Sequence, residues 1–279
     1  MQEQDKLRRF LFEQHGIRGV WVNLTDSWQA AKQHQQQPEI AVHQLGQALA
    51  CVSMLSTTVK FDGAMIMQAQ SDGAISTLVA QATNQRKIRG VVKCHAPVVG
   101  DSLTELFGEG RLVLTIEAEN GKPYQGIVPL QGENLAAALQ MYFEQSEQLK
   151  TRLWLFADDN HAAGLLLQEL PSQEGQPNDW DMIEILASTV TAKEMFELDC
   201  HELLYRLFNE EDIRLFDAED VAFECSCSRE RIEKTLQAMG EEELHAILNE
   251  QEIIAVTCEF CNETYRFYDA DVEKILSEA

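Results

Sequence analysis

Hydrophobic and polar residues alternate in several short stretches of the first ~170 residues, a pattern typical of β-strands. Residues 17–25 are β-branched and aromatic, which predicts a strand. Residues 64–70 and 75–82 flank Asp72-Gly73, which predicts a β-hairpin. Further strands are predicted at 91–94, 112–118, 124–130, 153–157 and 164–170, with a turn at Asn120-Gly121.

Apolar residues at three- and four-residue intervals predict helices between these strands. One helix covers residues 40–59, a second begins at Asn134, and Thr25 or Asp26 is expected to cap a helix after the first strand. Successive strands joined by tight turns indicate an antiparallel sheet with helices packed on it. Residues 1–171 are therefore predicted to form an N-terminal α+β domain.

A change of composition separates this domain from the rest of the chain. Residues 171–178 contain two prolines, a glycine and polar residues, which is typical of a linker. Beyond it, residues 179–198 are predicted to form one helix and residues 199–209 another, and we expect both to bury their apolar faces on the first domain. Their many carboxylates indicate that this docking is marginal. Residues 172–224 are thus predicted to be a helical linker region.

Four of the seven cysteines lie near the end of the chain in two close pairs, Cys225 with Cys227 and Cys258 with Cys261. Four thiolates that converge on one point suit a tetrahedral structural zinc, with no position left open for a substrate. The same four thiols could instead close into two short disulfides. These two possibilities separate a redox switch from a constitutive zinc module.

The cysteines bracket a small C-terminal unit, 225–279. Ser228 is expected to cap a helix that ends at Gly240, a second helix follows, residues 253–256 and 265–268 are predicted to form a hairpin, and Asp269 to cap a last helix. About 55 residues are too few to bury a sufficient core unaided. A structural zinc contributes roughly 10–16 kcal/mol of apparent folding energy, against about 5–15 kcal/mol for a whole domain. Loss of the metal is therefore expected to unfold this unit.

Composition restricts the class of protein further. The chain has 279 residues, 45% of them hydrophobic, and a formal net charge of −24. Such an acidic surface repels phosphate backbones, which argues against nucleic acid as a partner. The N-terminus shows no secretory signal, and no apolar stretch approaches the roughly 18 residues that span a bilayer. We therefore expect a cytoplasmic protein without a membrane partner, in which paired cysteines bind metal or sense redox state.

The other three cysteines do not indicate an enzyme active site. Cys51 lies in the apolar helical stretch and is expected to be core packing. Cys94 and Cys200 each precede a histidine, but sequence neighbours rarely converge on one substrate atom as nucleophile and base. No nucleotide-binding or hydrolase motif is present in the sequence. No catalytic residue is therefore assigned.

These residues together make a family resemblance visible. The chain resembles the redox-regulated heat-shock chaperones of bacteria, the 33-kilodalton chaperonin or holdase family. The segments that carry this resemblance are Glu224-Cys-Ser-Cys-Ser-Arg-Glu-Arg231, the distant Cys258-Glu-Phe-Cys261, the strand from Ile17 and the segment from Val128. The resemblance covers essentially the full length. It implies a substrate-binding N-terminal domain and a C-terminal redox-switch domain.

The resemblance also implies a mechanism. In the reduced, inactive state Cys225, Cys227, Cys258 and Cys261 would hold one Zn²⁺ per chain. Oxidation would form the disulfides Cys225–Cys227 and Cys258–Cys261, release the zinc, unfold the C-terminal domain and loosen residues 172–224. Members of this family bind unfolded or oxidatively damaged client proteins without ATP under heat and oxidative stress, often as homodimers once activated, and pass them to ATP-dependent foldase chaperones.

One departure and two alternatives accompany this expectation. Asn262 follows the last cysteine where such knuckles usually have glycine; asparagine tolerates the left-handed conformation, so the turn should persist with looser metal binding. The main alternative function is a constitutive zinc-ribbon adaptor or binding module. A thiol oxidoreductase is disfavoured because the Cys-x-x-Cys pair lies in a predicted hairpin rather than at a helix start.

Overall fold

The computed structural model describes residues 3–118, 122–170 and 180–277. The chain divides into two compact units, Met1–Glu224 and Cys225–Ala279. The turn predicted at Asn120-Gly121 and the linker predicted at 171–178 both lie outside the described residues.

The first unit contains two six-stranded sheets, so the predicted α+β class is confirmed, with two sheets in place of one. Sheet A has the strand order β10-β1-β2-β9-β8, with β11 also paired to β1, and sheet B has the order β12-β5-β4-β3-β6-β7. All pairings are antiparallel except that of β12 with β5. The strands are β1 (Lys6–Phe12), β2 (Ile17–Leu24), β3 (Gly63–Gln70), β4 (Ile75–Thr83), β5 (Lys87–Cys94), β6 (Arg111–Ala118), β7 (Tyr124–Pro129), β8 (Thr151–Ala157), β9 (Ala162–Glu169), β10 (Ile213–Leu215), β11 (Glu219–Asp220) and β12 (Ala222–Phe223).

The helices of the first unit correct one prediction. The single helix expected at 179–198 is two helices, because the Thr191 hydroxyl accepts the N–H of Glu194 and the Glu194 carboxylate accepts the N–H of Thr191, a capping box that starts a new helix. The helices are α1 (Asp26–Lys32), α2 (Glu39–Leu55), α3 (Leu103–Phe107), α4 (Leu135–Tyr142) with a π-helical turn after it (Phe143–Glu147), α5 (Trp180–Ala187), α6 (Ala192–Glu197) and α7 (Cys200–Phe208).

Helix α2 lies between the two sheets and forms the centre of the main core. It packs on β2, β8 and β9 of sheet A and on β3, β4 and β5 of sheet B. Its small residues allow this approach: a Cβ on Gly46 would lie 2.8 Å from the Cβ of Ala157. On the opposite sheet, a Cβ on Gly90 would lie 2.6 Å from Cδ1 of Leu45. Each sheet therefore turns one face towards the same helix.

The second face of sheet A is covered as well, by helices α5, α6 and α7. Side chains alternate along its strands, so that Val20 and Val22 face the main core while Ile17 and Trp21 face these helices. The Nδ2 of buried Asn23 donates to the carbonyl of Met195 at 2.9 Å. The expected docking of residues 180–208 on the first domain is confirmed, and it buries a separate apolar core formed by Phe10, Phe12, Ile17, Trp21, Ala163, Leu165, Leu167, Trp180, Ile183, Ala187, Val190, Met195, Cys200, Leu203, Leu204, Leu207 and Phe208.

Helix α1 is capped from a distant part of the chain. Neither candidate, Thr25 or Asp26, caps it through its side chain. Instead, the Asp5 carboxylate accepts the N–H groups of Thr25, Asp26 and Ser27 at 2.9–3.0 Å and both nearby hydroxyls. The Asp5 carbonyl also accepts the N–H of Val221 at 2.9 Å. Asp5 thus joins the start of β1 to α1 and to the segment between β11 and β12.

The second unit is built from α8 (Arg229–Met239), α9 (Glu241–Gln251), the hairpin β13 (Ile254–Thr257) and β14 (Thr264–Phe267), and α10 (Asp269–Ser277). Ser228 caps α8 as predicted. Helix α10 begins at Asp269 itself, and it is the Asp271 carboxylate that accepts the N–H of Tyr268 at 2.9 Å. The core of this unit is small and consists of Leu236, Leu244, Leu248, Ile254, Phe267, Val272 and Ile275.

We predict that Asp5→Ala lowers the free energy of unfolding of the first unit by about 2 kcal/mol, because several helix N–H groups lose their acceptor at once. Urea unfolding followed by circular dichroism measures the change. The control is Glu133→Ala, an exposed acid on the same unit, which should change stability by less than about 0.5 kcal/mol. Equal effects of the two substitutions would contradict the capping role of Asp5.

Candidate metal centre

Three short segments bring the four paired cysteines together. Cys225 and Cys227 lie in the extended segment that leads into α8, whereas Cys258 follows β13 and Cys261 precedes β14. The Ser228 hydroxyl accepts the N–H of Arg231 at 3.3 Å, which starts α8 directly after the first pair. The helix start therefore fixes one pair and the hairpin fixes the other.

The four sulfur atoms form one cluster. They all lie within 4.8 Å of one another, with 3.6 Å between the Sγ atoms of Cys225 and Cys258 and 3.4 Å between those of Cys227 and Cys261. Four sulfurs bound tetrahedrally at about 2.3 Å from a metal would be separated by about 3.8 Å. All four are free thiols and half-buried. The cluster can therefore hold a metal ion.

The hairpin turn presents its two thiols through a left-handed residue. The φ of Asn262 is 55°, so the expectation that asparagine supports this turn is confirmed. The Asn262 N–H donates to the carbonyl of Cys258 at 2.8 Å, and the Cys258 N–H donates to the carbonyl of Glu263 at 2.9 Å. Both bonds close the turn, and they hold Cys258 and Cys261 on its inner side with their sulfurs in the cluster.

Hydrogen bonds and burial shift the pKa values of the thiols in the cluster in different directions. Burial raises the pKa of Cys225 and of Cys261 above the ordinary thiol value. Burial also acts to raise the pKa of Cys227, but hydrogen bonds from Tyr265 and from neighbouring thiols outweigh it and hold that pKa below its usual range. The Tyr265 hydroxyl lies 3.4 Å from the Cys227 Sγ. Tyr265 is thus the polar side chain that favours the thiolate form of Cys227.

Two arginines hold the site in place, and the sequence patterns assigned them no role. The Arg231 guanidinium donates to the carbonyl and hydroxyl of Ser226 at 2.9 and 2.8 Å, which fixes the loop between the first two cysteines. Arg229 lies 4.3 Å from the ring centroid of Phe267, donates to the carbonyl of Arg266 at 3.0 Å, and pairs with Asp271 at 2.8 Å. Arg229 therefore connects α8 to β14 and α10.

The three isolated cysteines, Cys51, Cys94 and Cys200, belong to the first unit. Cys51 and Cys200 are both 0% exposed, and burial raises the pKa of each thiol. A raised pKa is the opposite of what an activated nucleophile needs. Cys51 packs in the main core as predicted. Cys200, the first residue of α7, packs in the separate core between sheet A and helices α5, α6 and α7. Within the described ranges, no helix combines the length and the apolar character that a membrane crossing requires.

Comparisons with known proteins agree with the fold. The sequence model of the family described as Hsp33 protein matches residues 5–268. A 33 kDa chaperonin from Nitrosococcus oceani is 55% identical over 278 residues, which cover 100% of this chain and 96% of that protein. A 33 kDa chaperonin from Shewanella loihica is 42% identical over 277 residues, which cover 99% of this chain and 97% of that protein.

A solved structure shows the same architecture. The crystal structure of the 33 kDa chaperonin from Thermotoga maritima matches with a TM-score of 0.83 and 22% sequence identity, over 98% of each chain. Proteins that share essentially the whole chain are thus named chaperonins, which are chaperones and not enzymes. The chain belongs to the Hsp33 protein family.

We predict that Arg229→Lys destabilises the second unit by about 1–2 kcal/mol, because lysine cannot keep the stacked ring contact and the separate hydrogen bonds at once. Amide hydrogen exchange across α8 and α10 measures this change. Arg266→Lys, on an exposed position of β14, is the matched control and should leave exchange unaltered. Unaltered exchange in the Arg229 variant would show that the connection is dispensable.

Proposed function

We propose that this protein is a holdase chaperone that is kept inactive by a bound metal and activated by oxidation. The observation that carries the proposal is the convergence of four free thiols in a unit with a small core. The family match supports the chaperone activity, and the cysteine cluster supports its control.

The metal proposed is one Zn²⁺ per chain, held by Cys225, Cys227, Cys258 and Cys261 in the reduced state. An all-cysteine set favours zinc over the hard cations, which bind oxygen. When bound, the zinc would supply no reaction: its double positive charge would offset two of the four thiolate charges, and the four cysteines would hold it so that the segment before α8 is joined to the β13–β14 hairpin. The four sulfurs fill its coordination, so the site is structural.

Loss of the metal is proposed to unfold residues 225–279. The core of this unit has seven buried apolar side chains, whereas a structural zinc contributes roughly 10–16 kcal/mol. Removing a stabilisation of that size from a unit of 55 residues leaves too little apolar burial to keep it folded. The order of the unit then depends on the oxidation state of its four sulfurs.

The proposed oxidant class is a peroxide, and the disulfides are Cys225–Cys227 and Cys258–Cys261. Counted from free thiols, peroxide oxidises one thiol to a sulfenic acid and leaves as water. The neighbouring thiol then attacks that sulfur, the S–S bond forms and a second water leaves. In the folded unit the short sulfur–sulfur distances join Cys225 to Cys258 and Cys227 to Cys261. Once the unit unfolds, the short separation in sequence within each of the pairs Cys225–Cys227 and Cys258–Cys261 favours disulfide formation within that pair.

The client surface is proposed to lie beneath residues 180–208. On activation the region 172–224 loosens, which exposes the apolar outer face of sheet A, including Phe10, Trp21 and Leu165. The acidic side chains of the released helices keep the open protein in solution. Unfolded or oxidatively damaged clients would bind this face without ATP.

Further elements of the proposal come from the family resemblance. They are homodimer formation on activation, transfer of clients to ATP-dependent foldase chaperones, a cytoplasmic location, and a role in heat and oxidative stress. The division into an N-terminal domain 1–171, a linker region 172–224 and a redox-switch domain 225–279 is proposed on the same basis.

We predict that the reduced, zinc-loaded protein protects an unfolding client poorly, and that peroxide treatment with warming makes it protective. Light scattering of a chemically unfolded client enzyme measures protection. Zinc released, counted against thiols lost, should reach one ion per four thiols. Cys258→Ser should lower zinc affinity and partly unfold residues 225–279 in reductant, whereas Cys94→Ser in the first unit should do neither. Equal protection in both redox states would favour the constitutive zinc adaptor.

We predict that Cys200 becomes reactive towards a thiol reagent on activation, because α7, which carries Cys200, is part of the region proposed to loosen from sheet A. Mass spectrometry of the alkylated, zinc-free, oxidised protein measures the modified fraction. Cys51 is an internal control with the same 0% exposure in the structure, and it should stay unmodified since α2 is not part of the region proposed to loosen. Modification of both or of neither cysteine would contradict a selective release of α7.

A further inference from the structure

A single segment, residues 212–224, forms one edge of each sheet in the first unit. It contains β10 and β11, which pair antiparallel with β1 of sheet A, and β12, which pairs parallel with β5 of sheet B. The opposite sides of β1 and β5 are already paired, with β2 and β4. We call residues 212–224 the edge segment. Without it, β1 and β5 would each present a row of unpaired backbone groups.

Backbone hydrogen bonds hold the edge segment on both strands. The N–H of Phe216 donates to the carbonyl of Arg9 in β1 at 2.9 Å, and the N–H of Glu224 donates to the carbonyl of Ile88 in β5 at 3.0 Å. Bonds of this kind recognise an extended backbone and not a particular sequence. The edge segment therefore fills a site that suits extended chains in general.

The apolar side chains of the edge segment cover apolar positions of both cores in the first unit. Val221 is 3% exposed and lies in the main core, and Phe223 packs against that core. Ile213 and Leu215 pack against the separate core between sheet A and helices α5, α6 and α7. A chain that replaced the edge segment would meet the same apolar positions, so its own apolar side chains would be buried there.

The acidic side chains of the edge segment pair with bases on β1 and at the start of β5. The pairs are Asp220 with Lys6, Glu219 with Arg9 and Arg86, and Glu224 with Lys87. Glu219 lies 3.0 Å from the Nε of each arginine, so one carboxylate connects the two sheets. The chain as a whole has 46 acids and 22 bases, yet here the strands supply the bases. A replacing chain with carboxylates would match this charge.

We propose that the edge segment occupies the positions at which clients bind, and that extended client segments with apolar and acidic residues add as strands to β1 and β5 once it leaves. The inference rests on the loosening of residues 172–224 proposed above, and it adds that a client is recognised through its main chain. Glu224 directly precedes Cys225, so unfolding of the second unit releases the end of the edge segment from an ordered neighbour. In the reduced protein both edges are filled, in agreement with an inactive reduced state.

The first test uses the full-length protein and a fluorescein-labelled peptide with the sequence of residues 212–224. Fluorescence anisotropy should show binding to the peroxide-activated protein at least about tenfold tighter than to the reduced, zinc-loaded protein. A twin peptide methylated on the backbone nitrogens of Phe216 and Glu224 keeps every side chain but lacks two donors, and it should bind at least about tenfold more weakly. Equal binding of the twins would overturn the proposal, because it would show apolar capture without strand addition.

Variants of the edge segment test the proposal without oxidation. Val221→Asp places a carboxylate in the main core and should eject the segment, so the reduced, zinc-loaded variant should bind the peptide at least about tenfold more tightly than the reduced parent. Glu219→Gln combined with Asp220→Asn removes ion pairs and should act in the same direction, which serves if Val221→Asp does not fold. Glu133→Gln, an exposed acid outside the segment, is the matched control and should have no effect. Unchanged affinity in every variant would overturn the proposal.

A variant of β1 tests the preference for acidic clients. Arg9→Gln should weaken binding of the peptide to the activated protein and reduce the salt dependence of that binding. Arg111→Gln is the matched control, at an exposed position of β6, which is paired on both sides with β3 and β7. Equal effects of the two substitutions would overturn the preference for acidic segments.

The two proposals fail separately. If peroxide neither releases zinc nor unfolds residues 225–279, the redox control is wrong, but reduced Val221→Asp should bind the peptide all the same. If the activated protein protects clients while the amides of Phe216 and Glu224 exchange as slowly as in the reduced protein, the edge segment has not moved and this inference is wrong. A reduced Val221→Asp protein that sediments as a dimer and binds no peptide would assign the edges to a second copy of the chain.

Discussion

Four sulfur atoms lie within 4.8 Å of one another in the C-terminal unit, and their mutual interaction is the constraint on which the proposed mechanism depends. As thiols they are compatible neighbours, but as thiolates each pair would repel by about 4 kcal/mol at an effective dielectric constant of 20. A divalent cation reverses the sign of that interaction and adds metal–sulfur bonds. Because the unit has so small a core of its own, the proposed mechanism makes its fold depend on the state of these sulfurs more than on contacts among its helices.

The two sheets of the first unit differ in how they present apolar surface. Sheet A is buried on both faces, between α2 and the helices that follow the linker, and its strand β9 is accordingly a nearly continuous apolar run. Sheet B packs against α2 on one face, and helices α5, α6 and α7 pack on sheet A and not on sheet B. The outer face of sheet A is thus available only when these helices move.

The acidic composition acts differently at different scales. Over the whole chain it favours solubility, which suits a protein that exposes apolar surface. Within the helices that follow the linker, the half-buried ion pair of Arg152 with Glu184 at 2.5 Å holds α5 on β8. On sheet B the charge is reversed by Arg89, Lys93 and Arg111. The net charge of the whole chain therefore does not predict the charge of each of its surfaces.

The sequence by itself determined the features that depend on neighbours in the chain: the α+β class, most strands and helices, the helix cap at Ser228 and the choice of the four cysteines that form the cluster. Tertiary structure alone decided what depends on distant partners. The short strands β10, β11 and β12 exist because β1 and β5 offer them hydrogen bonds, and β1 itself has two arginines that interrupt its apolar pattern. Asp5 caps a helix that begins some twenty residues later, and Arg229 joins elements far apart in the chain. Local patterns record side-chain burial and turn geometry, whereas these contacts arise only once the chain has folded and brought distant groups within hydrogen-bond reach.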